Sequence, residues 1–325
     1  MPSTQISDII DPEILTQQVS ARFPDKIRLA EAGAVQLSSD IAGIQRGGTM
    51  VKIPRWNRIG DFERKVEGSG FSVQKIDAVE ELGVVVRRGA AYGVEDTASL
   101  VSLADPMAEI AAQIAEKAAR EVHDTLINVL VGATPVGNTS DQAAATGTKV
   151  NITGDIVRDA LIRLGDQFED LAAVVMHSHV FFDAHKAGLI TYADQGEDAT
   201  SLNLRMGQQP YLFGRPVFVS DKVLLDTAGD NHVYDTYFLG RGALMVAYQR
   251  DLLVEVDRDI LVKEDVISAD VHYVPHLLGV GWNVATTNPA NTDLATDTNW
   301  ALKVQEARSV KAVRLTTNSD FAVGE

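Results

Sequence analysis

The chain has 325 residues and a mass of 35.1 kDa, enough for one large domain or two domains of ordinary size. It contains no cysteine, which excludes disulfides, thiolate metal sites and cysteine nucleophiles. Forty-five acidic residues against 29 basic ones give a formal net charge of −16, which argues against a protein that grips phosphates over a broad face.

Residues 1–48 predict an N-terminal arm. Apolar residues are scattered through it, some helical spacing occurs around "PEILTQQVSARF", and Gly47 and Gly48 break the pattern. The first residues show no basic segment followed by an apolar segment, so no secretory signal is expected. Assembly is therefore expected in a cytoplasm. An arm of this composition buries little surface by itself.

Residues 49–97 predict an extended two-stranded hairpin. One strand is expected at 50–56 and returning strands at 73–76 and 82–92, with a charged turn region at 57–70. An isolated hairpin is only marginally stable in water, because two strands bury too little apolar surface. We therefore expect the hairpin to need a partner surface, on another subunit.

The hairpin combines basic side chains with large apolar ones. It has nowhere of its own to bury its apolar groups, which favours an interface, although a solvated charged turn stays open as an alternative. Positive side chains meeting acidic patches on the next subunit would fix register, each exposed pair contributing only ~0.2–1 kcal/mol. The apolar groups are Trp56, Ile59, Phe62 and Phe71. The predicted inter-subunit contacts are Lys52, Arg55, Trp56, Arg58, Phe62, Arg64, Lys65 and Phe71.

Residues 105–131 predict one long helix. Asp105 suits the N-cap, Pro106 the first helical position and Gly132 the stop. At 1.5 Å per residue the helix would measure roughly 39 Å and act as a strut. A polar, glycine-rich surface loop is expected at 133–151. The apolar stripe comprises Ile110, Ile114, Ala118, Val122, Leu126 and Val129.

Helix and strand alternate in residues 153–232. Thr153 is expected to cap a helix, 171–176 is an apolar run typical of a buried strand, and Ser178 is expected to cap a short helix. "GRPVFVSDKV" then places a short strand between two turns. This alternation predicts a small α/β unit.

The remaining chain predicts mostly strands. Residues 233–285 are rich in Val, Tyr, Leu and Ile, with turns at glycine and aspartate. Residues 286–325 predict a tail of lower hydrophobicity, with a short apolar piece around 300–304 and a strand at "VKAVRLTT".

Three histidines, His177, His179 and His185, lie within nine residues together with Asp183. On an extended segment the first two would face the same way, which is one way to start a metal site. A helix beginning at Ser178 would instead separate them, and no H-E-x-x-H, G-x-S-x-G or phosphate-loop motif supports chemistry. We therefore expect a turn whose histidines cap, pack or face a neighbouring subunit, with a metal-dependent enzyme as the alternative.

The order of these elements resembles the major capsid protein of tailed double-stranded DNA bacteriophages with the Hong Kong 97-type fold. In that family an N-terminal arm leads to an extended hairpin (the E-loop), a peripheral (P) domain with a long spine helix, an axial (A) domain and returning P-domain strands. "AAVVMHSHVFFDAHKAG" is similar to the strand-turn-helix of the A-domain. "GRPVFVSDKV" is similar to a pattern further along that domain, and the resemblance covers about residues 20–285.

The resemblance implies an α+β fold divided into the family's units. The implied ranges are the N-terminal arm 1–48, the E-loop hairpin 49–97, the P-domain 98–152 with its spine helix at 105–131, the A-domain 153–232, the P-domain return strands 233–285 and the C-terminal tail 286–325.

The resemblance also implies a structural protein that is not an enzyme and binds no cofactor. Copies of the chain would assemble, through pentamers and hexamers, into an icosahedral virion shell that encloses double-stranded DNA and contacts it non-specifically. A portal protein and a decoration protein are implied partners. A separate scaffolding protein, or none, is implied too, because the family's type member carries a long helical scaffolding segment before the arm and this chain begins almost directly with the arm.

Two further expectations complete this interpretation. No apolar run approaches the ~18 residues of a membrane span, so no membrane partner is expected, and the shell would assemble in the host cytoplasm. An encapsulin compartment has the same fold and is the alternative function; it would enclose cargo enzymes instead of DNA.

Overall fold

The computed structural model describes residues 29, 32–37, 48–56, 62, 64, 67–68, 73, 75–76, 78–95, 106–192, 208–223, 225–226 and 231–320. The helices are α1 Pro106–Gly137, α2 Gly154–Ile162, α3 Ser178–Lys186 and α4 Asn291–Leu294, with 3-10 turns at Gly165–Asp170, Asp297–Asn299 and Ala307–Ser309. The strands are β1 Val35–Leu37, β2 Met50–Trp56, β3 Ala78–Val84, β4 Val86–Glu95, β5 Thr139–Asp141, β6 Leu171–Met176, β7 Ile190–Tyr192, β8 Pro210–Leu212, β9 Arg215–Val219, β10 Leu225–Asp226, β11 Val233–Gly240, β12 Leu244–Asp259, β13 Glu264–Leu277, β14 Val280–Trp282, β15 Trp300–Leu302 and β16 Ala312–Asn318.

A four-stranded sheet of order β1-β12-β13-β4 packs against α1. The apolar stripe of α1 supplies Leu126 and Val129, which are buried in one core with Tyr273 of β13. The Tyr273 hydroxyl donates a hydrogen bond to Thr125 Oγ1 at 2.8 Å, so its polar end is satisfied inside that core. The helix thereby supports β13 and β4 of the sheet.

Helix α1 begins at Pro106, as predicted, but the predicted end at 131 is wrong. It continues through Gly132 to Gly137 and takes in the first part of the loop expected at 133–151. A Cβ at Gly132 would clash with the carbonyl oxygen of Leu294 and lie 2.8 Å from Trp300 Nε1. Glycine stands here because another backbone approaches closely, not because the helix stops. Asp105 lies outside the described residues.

The hairpin consists of β2 and β3, paired antiparallel from Met50↔Val84 to Trp56↔Ala78. Strand β2 is confirmed, but residues 73, 75 and 76 are not in a strand, so the returning strand expected at 73–76 is wrong at these positions. The strand expected at 82–92 divides at Val85, whose N–H donates to the Thr49 carbonyl at 3.0 Å. Strand β4 then leaves the hairpin and pairs with β13 in the four-stranded sheet.

A second sheet has the order β5-β16-β11-β6-β9-β8-β7, with β10 on β11. Its strand β6 confirms the run expected at 171–176, and every residue of it is buried. Ala173 and Val175 face the core shared with α1, whereas Val174 and Met176 face a second core under α2 and α3. Burial on both faces explains why the run does not alternate with polar residues.

Several of the predicted chain divisions differ from this topology. Strand β4, expected in the hairpin at 49–97, lies in the four-stranded sheet, and β5, expected in the range 98–152, pairs with β16 in the second sheet. Strand β11, expected among the return strands at 233–285, lies in the second sheet between β16 and β6. The tail expected at 286–325 supplies β16, an inner strand of that sheet, of which only Arg314 is not fully buried. The strand itself is confirmed, but its central position has no local signal because its last residues, "TTN", are polar.

No helix in the described part of the chain is both long and apolar enough to cross a membrane.

Candidate functional site

The projecting hairpin exposes large apolar side chains. Trp56 at the end of β2 is 70% exposed and Phe62 is 100% exposed. Val73 and Ile76, on the returning side, are exposed too. Apolar groups concentrated on one thin projection are typical of a surface that another protein covers.

Two basic residues predicted to contact a neighbour have partners inside the hairpin. Lys52 Nζ lies 2.7 Å from Glu80 Oε2, in a pair whose side chains are both more than half exposed. Arg55 Nη1 donates to Glu81 Oε1 at 3.2 Å, with the arginine side chain 33% exposed. An exposed pair such as the first contributes little to stability, so it does not prevent Lys52 from meeting another subunit.

The other predicted contacts divide into two groups. Arg64, like Phe62, is described and exposed. Arg58, Lys65 and Phe71 lie outside the described residues. The prediction that these residues contact a neighbouring subunit stays a prediction.

A fully buried carboxylate lies where the hairpin joins the subunit. Glu81 Oε2 accepts hydrogen bonds from His276 Nε2 and from the Gly279 N–H, each at 3.1 Å. Burial raises the pKa of Glu81, but the hydrogen bonds from His276 and Gly279 and the nearby positive charge outweigh burial and hold the pKa below its ordinary value. The carboxylate is therefore ionised at neutral pH. The sequence analysis missed this group.

A second exposed apolar group occupies the turn between β12 and β13. Ile260 is 79% exposed and Leu261 95% exposed, and Val262 is more exposed than buried. The run "DILV" is visible in the sequence, where we assign it to a strand; only the structure places it at the tip of a long antiparallel hairpin. This tip is a second candidate contact surface.

The histidine stretch forms the start of α3, and His177, not Ser178, is its N-cap. His177 Nδ1 accepts from the His179 N–H at 3.2 Å, while the Ser178 N–H is taken by Asp221 Oδ1 at 3.3 Å. His179 Nδ1 lies 2.8 Å from the hydroxyl of Tyr234. Capping and packing thus account for these two residues.

The same stretch gives no support to a metal centre. No group of three or more His, Cys, Asp or Glu side chains suited to a metal occurs among the residues that the structure describes. Burial lowers the pKa of His177, and Asp221 opposes this only in part. His177 is therefore neutral at neutral pH, as a capping acceptor must be.

Comparison with known proteins gives one consistent result. The model of the Gp13-like family, described as Major capsid protein 13-like, matches residues 15–313. The major capsid protein of Bacillus phage SPP1 is 27% identical over 325 residues, which covers 97% of this chain and 98% of the relative. The major capsid protein of Staphylococcus phage phiMR11 is 24% identical over 286 residues, covering 84% of this chain and 92% of the relative.

Solved structures show the same fold at low sequence identity. The capsid of Ralstonia phage GP4 has a TM-score of 0.59 at 11% identity and covers 91% of this chain and 90% of its own. The Cyanophage Pam1 capsid asymmetric unit has a TM-score of 0.57 at 13% identity and covers 93% of each chain. The arrangement of helices and strands therefore persists where few residues are shared.

Proposed function

Because the chain belongs to the Gp13-like family of major capsid proteins, we propose that it builds its shell from pentamers and hexamers in which the hairpin of one subunit reaches the next. The chain is a major capsid protein with the Hong Kong 97-type fold and is located in the virion capsid. Its copies form the icosahedral head shell of a tailed phage, and it is not an enzyme. None of the relatives reported above is an encapsulin, so that alternative has no support.

The exposed hairpin supports the proposed mode of contact. Trp56 and Phe62 together present a large apolar area, and tryptophan is among the residues that most often dominate the free energy of an interface. Water is the only alternative environment for them in an isolated subunit. A neighbouring subunit that covers them would gain the burial that two strands cannot provide for themselves.

We propose the family's functional units in the form that the topology suggests. The P-domain would comprise α1 with the four-stranded sheet, and the A-domain would comprise the second sheet with α2 and α3, which places β11 and β16 in the A-domain. Residues 1–48 would form the arm and residues 49–84 the E-loop. The E-loop and the part of the arm outside β1, which pairs with β12 of its own subunit, would reach across to neighbours.

We further propose the partners and the place of assembly. Portal, scaffolding and decoration proteins would complete the head, and assembly would occur in the host cytoplasm. The packaged double-stranded DNA would be contacted non-specifically. A net charge of −16 supports a wall along which DNA moves without being bound tightly, since few phosphates would be neutralised.

Polar substitution of the hairpin should prevent assembly and leave the fold unchanged. The expressed wild-type chain should give closed shells in negative-stain micrographs. Trp56→Ser combined with Phe62→Ser should remove two exposed hot-spot candidates, at ~2 kcal/mol or more each, and give unassembled subunits. Far-ultraviolet circular dichroism should be unchanged, because neither side chain is buried in the subunit.

The matched control makes the same kind of change elsewhere. Ile162→Ser combined with Phe168→Ser alters residues that are 70% and 52% exposed near the end of α2. This variant should assemble normally. Shells from the hairpin variant at the wild-type yield would refute the proposed contact, and a wild-type chain that stays monomeric under all assembly conditions would refute shell formation by this chain alone.

A charge at the β12–β13 tip should also weaken assembly. Leu261→Asp places a carboxylate in an apolar turn that we propose to be covered by another subunit, and loss of a ~2 kcal/mol contact corresponds to a roughly thirtyfold higher threshold concentration. Light scattering against protein concentration measures this threshold. Ile162→Asp is the control, and an equal threshold in both variants would show that the tip is not a contact.

A further inference from the structure

The root of the hairpin is held by a buried ionic cluster that no part of the shell function described so far requires. Glu81 of β3 and His276 of β13 are both 0% exposed, although they stand 195 residues apart in the chain. Gly279, in the turn between β13 and β14, supplies the third group through its N–H. Arg55 of β2 closes the cluster from the side nearest solvent.

The three donors reach one carboxylate from three different elements. His276 and Gly279 both donate to Oε2, and Arg55 donates to Oε1. One donor belongs to the hairpin itself, whereas the other two belong to the body of the subunit. The carboxylate therefore joins the hairpin to the body in a fixed orientation, because hydrogen bonds weaken steeply when their angles change.

The His276 ring has no second anchor among the residues that the structure describes. Its Nδ1 is buried and makes no hydrogen bond there. The bond from Nε2 to Glu81 is thus what orients the ring. Removing the carboxylate would leave buried polar groups on His276 and Gly279 unsatisfied, a cost of several kcal/mol in comparable buried clusters.

Close backbone packing surrounds the cluster. A Cβ at Gly83 would lie 2.8 Å from a methyl of Val274, and a Cβ at Gly281 would lie 3.2 Å from the backbone nitrogen of Leu82. Gly279 has φ +96°, a conformation that favours glycine, and a Cβ there would lie 3.4 Å from Arg55 Nη1. The root of the hairpin therefore packs tightly against β13 and β14.

A buried carboxylate held by hydrogen bonds is a poor choice if stability is all that is required. Well-packed apolar residues of similar volume are often as stable or more so, because ions lose their hydration on burial. Unlike apolar packing, hydrogen bonds to a carboxylate also fix the orientation of the groups they join. The hairpin needs a fixed orientation because its exposed apolar residues must meet a neighbouring subunit at one position in the shell.

We propose that Glu81 is a positioning residue that fixes the direction in which the hairpin leaves the subunit, with His276, Gly279 and Arg55 as the groups that hold it. This inference rests on the proposed function, in which the hairpin reaches a neighbour. It adds that the hairpin is aimed before assembly, by a cluster in its own subunit.

The test compares Glu81→Gln with Glu80→Gln. Both variants replace a carboxylate by an amide on β3, but among the residues that the structure describes Glu80 pairs only with Lys52, at the surface. Since the chain has no cysteine, two introduced cysteines can carry spin labels without further changes. Val73→Cys on the hairpin and Glu255→Cys on β12 report the hairpin's orientation. Arg87→Cys on β4 with Glu255→Cys, which stand two strands apart and four residues apart along the sheet, reports the sheet alone.

Pulsed electron resonance on the unassembled subunit should separate the two variants. The hairpin-to-sheet distance distribution should be narrow in the parent chain and in Glu80→Gln, and broad in Glu81→Gln, while the distance within the sheet stays the same in all three. At a fixed protein concentration the yield of shells from Glu81→Gln should fall roughly tenfold, the effect of a ~1.4 kcal/mol loss in association. A narrow, unshifted distribution in Glu81→Gln would overturn the proposal.

Two provisions keep the result decisive. If Glu81→Gln does not fold, His276→Leu removes one of the two donors that tie Glu81 to the body of the subunit, and a broadened hairpin distance there supports the proposal while an unchanged one overturns it. The label distances are measured without assembly. A parent chain that forms no shells would therefore count against the proposed function, whereas unchanged label distances would count against the positioning role alone.

Discussion

Gly132→Ala is expected to destabilise the subunit by about 3 kcal/mol or more, although alanine is the better helix former by about 1 kcal/mol. The added methyl group would clash with the carbonyl of Leu294, where α4 approaches α1. That carbonyl also accepts the indole N–H of Trp300 at 2.9 Å, and the methyl group would lie close to the same nitrogen. Backbone and a packed indole cannot move aside cheaply.

Gly137→Ala is the matched control in the same helix. A Cβ there would lie 3.4 Å from Val310, an ordinary contact, so this variant should be neutral or slightly stabilised. Urea denaturation of the unassembled subunits measures both. If the two variants had equal midpoints, the close approach at Gly132 would not limit stability.

Asp235→Asn is expected to remove a stabilisation that the wild-type subunit gains on acidification. Asp235 is 1% exposed on β11; burial raises the pKa of its carboxyl to about 6, while Arg314 opposes the rise. Arg314 Nε lies 3.3 Å from Asp235 Oδ1 but makes no hydrogen bond, which explains why its effect is only partial. The Tyr237 hydroxyl donates to the other oxygen at 2.7 Å.

The sign follows from proton binding. Between the ordinary pKa near 4 and the folded value of about 6, the folded state holds the proton more tightly, so this group makes the subunit more stable as pH falls through that window. The full difference corresponds to about 3 kcal/mol. Asparagine cannot titrate, and its oxygen can still accept from Tyr237.

The measurement is the free energy of unfolding of wild type and Asp235→Asn at pH 7.5 and at pH 4. The difference between the two proteins should shift by about 2 kcal/mol in favour of the wild type between these two pH values, most of the full difference. Comparing the two proteins cancels the pH-dependent contributions of the titratable groups that both contain. Glu81 is one of these groups, and its lowered pKa makes the subunit less stable as pH falls. A constant difference across this range would contradict the prediction.

Local sequence patterns predicted much of the fold. The spacing of apolar residues in α1, the apolar run of β6 and the Thr153 cap of α2 are each written within a few residues, and the structure has all three. Gly132 misled the sequence analysis because a glycine required by a distant backbone looks the same as one that ends a helix. Only the position of Leu294 distinguishes the two.

The candidate site divides in the same way. Exposed Trp56 and Phe62 follow from a thin hairpin with too little surface to bury them. The role of Glu81 could not be predicted in this way, because its partner His276 lies 195 residues later in the chain and no local pattern marks the pairing. Charged residues inside otherwise apolar strands are the one available signal, and they do not indicate which partner a residue meets.

The central place of β16 sets an order of events during synthesis. The second sheet has β5 and β11 on either side of a gap until residues 312–318 have left the ribosome, because β16 pairs with both. Until then each neighbour presents an unpaired strand edge, the kind of surface that aggregates and attracts proteases. Chains interrupted before this strand would be removed before they could enter a growing shell, so the head would be built only from subunits whose translation has run through β16.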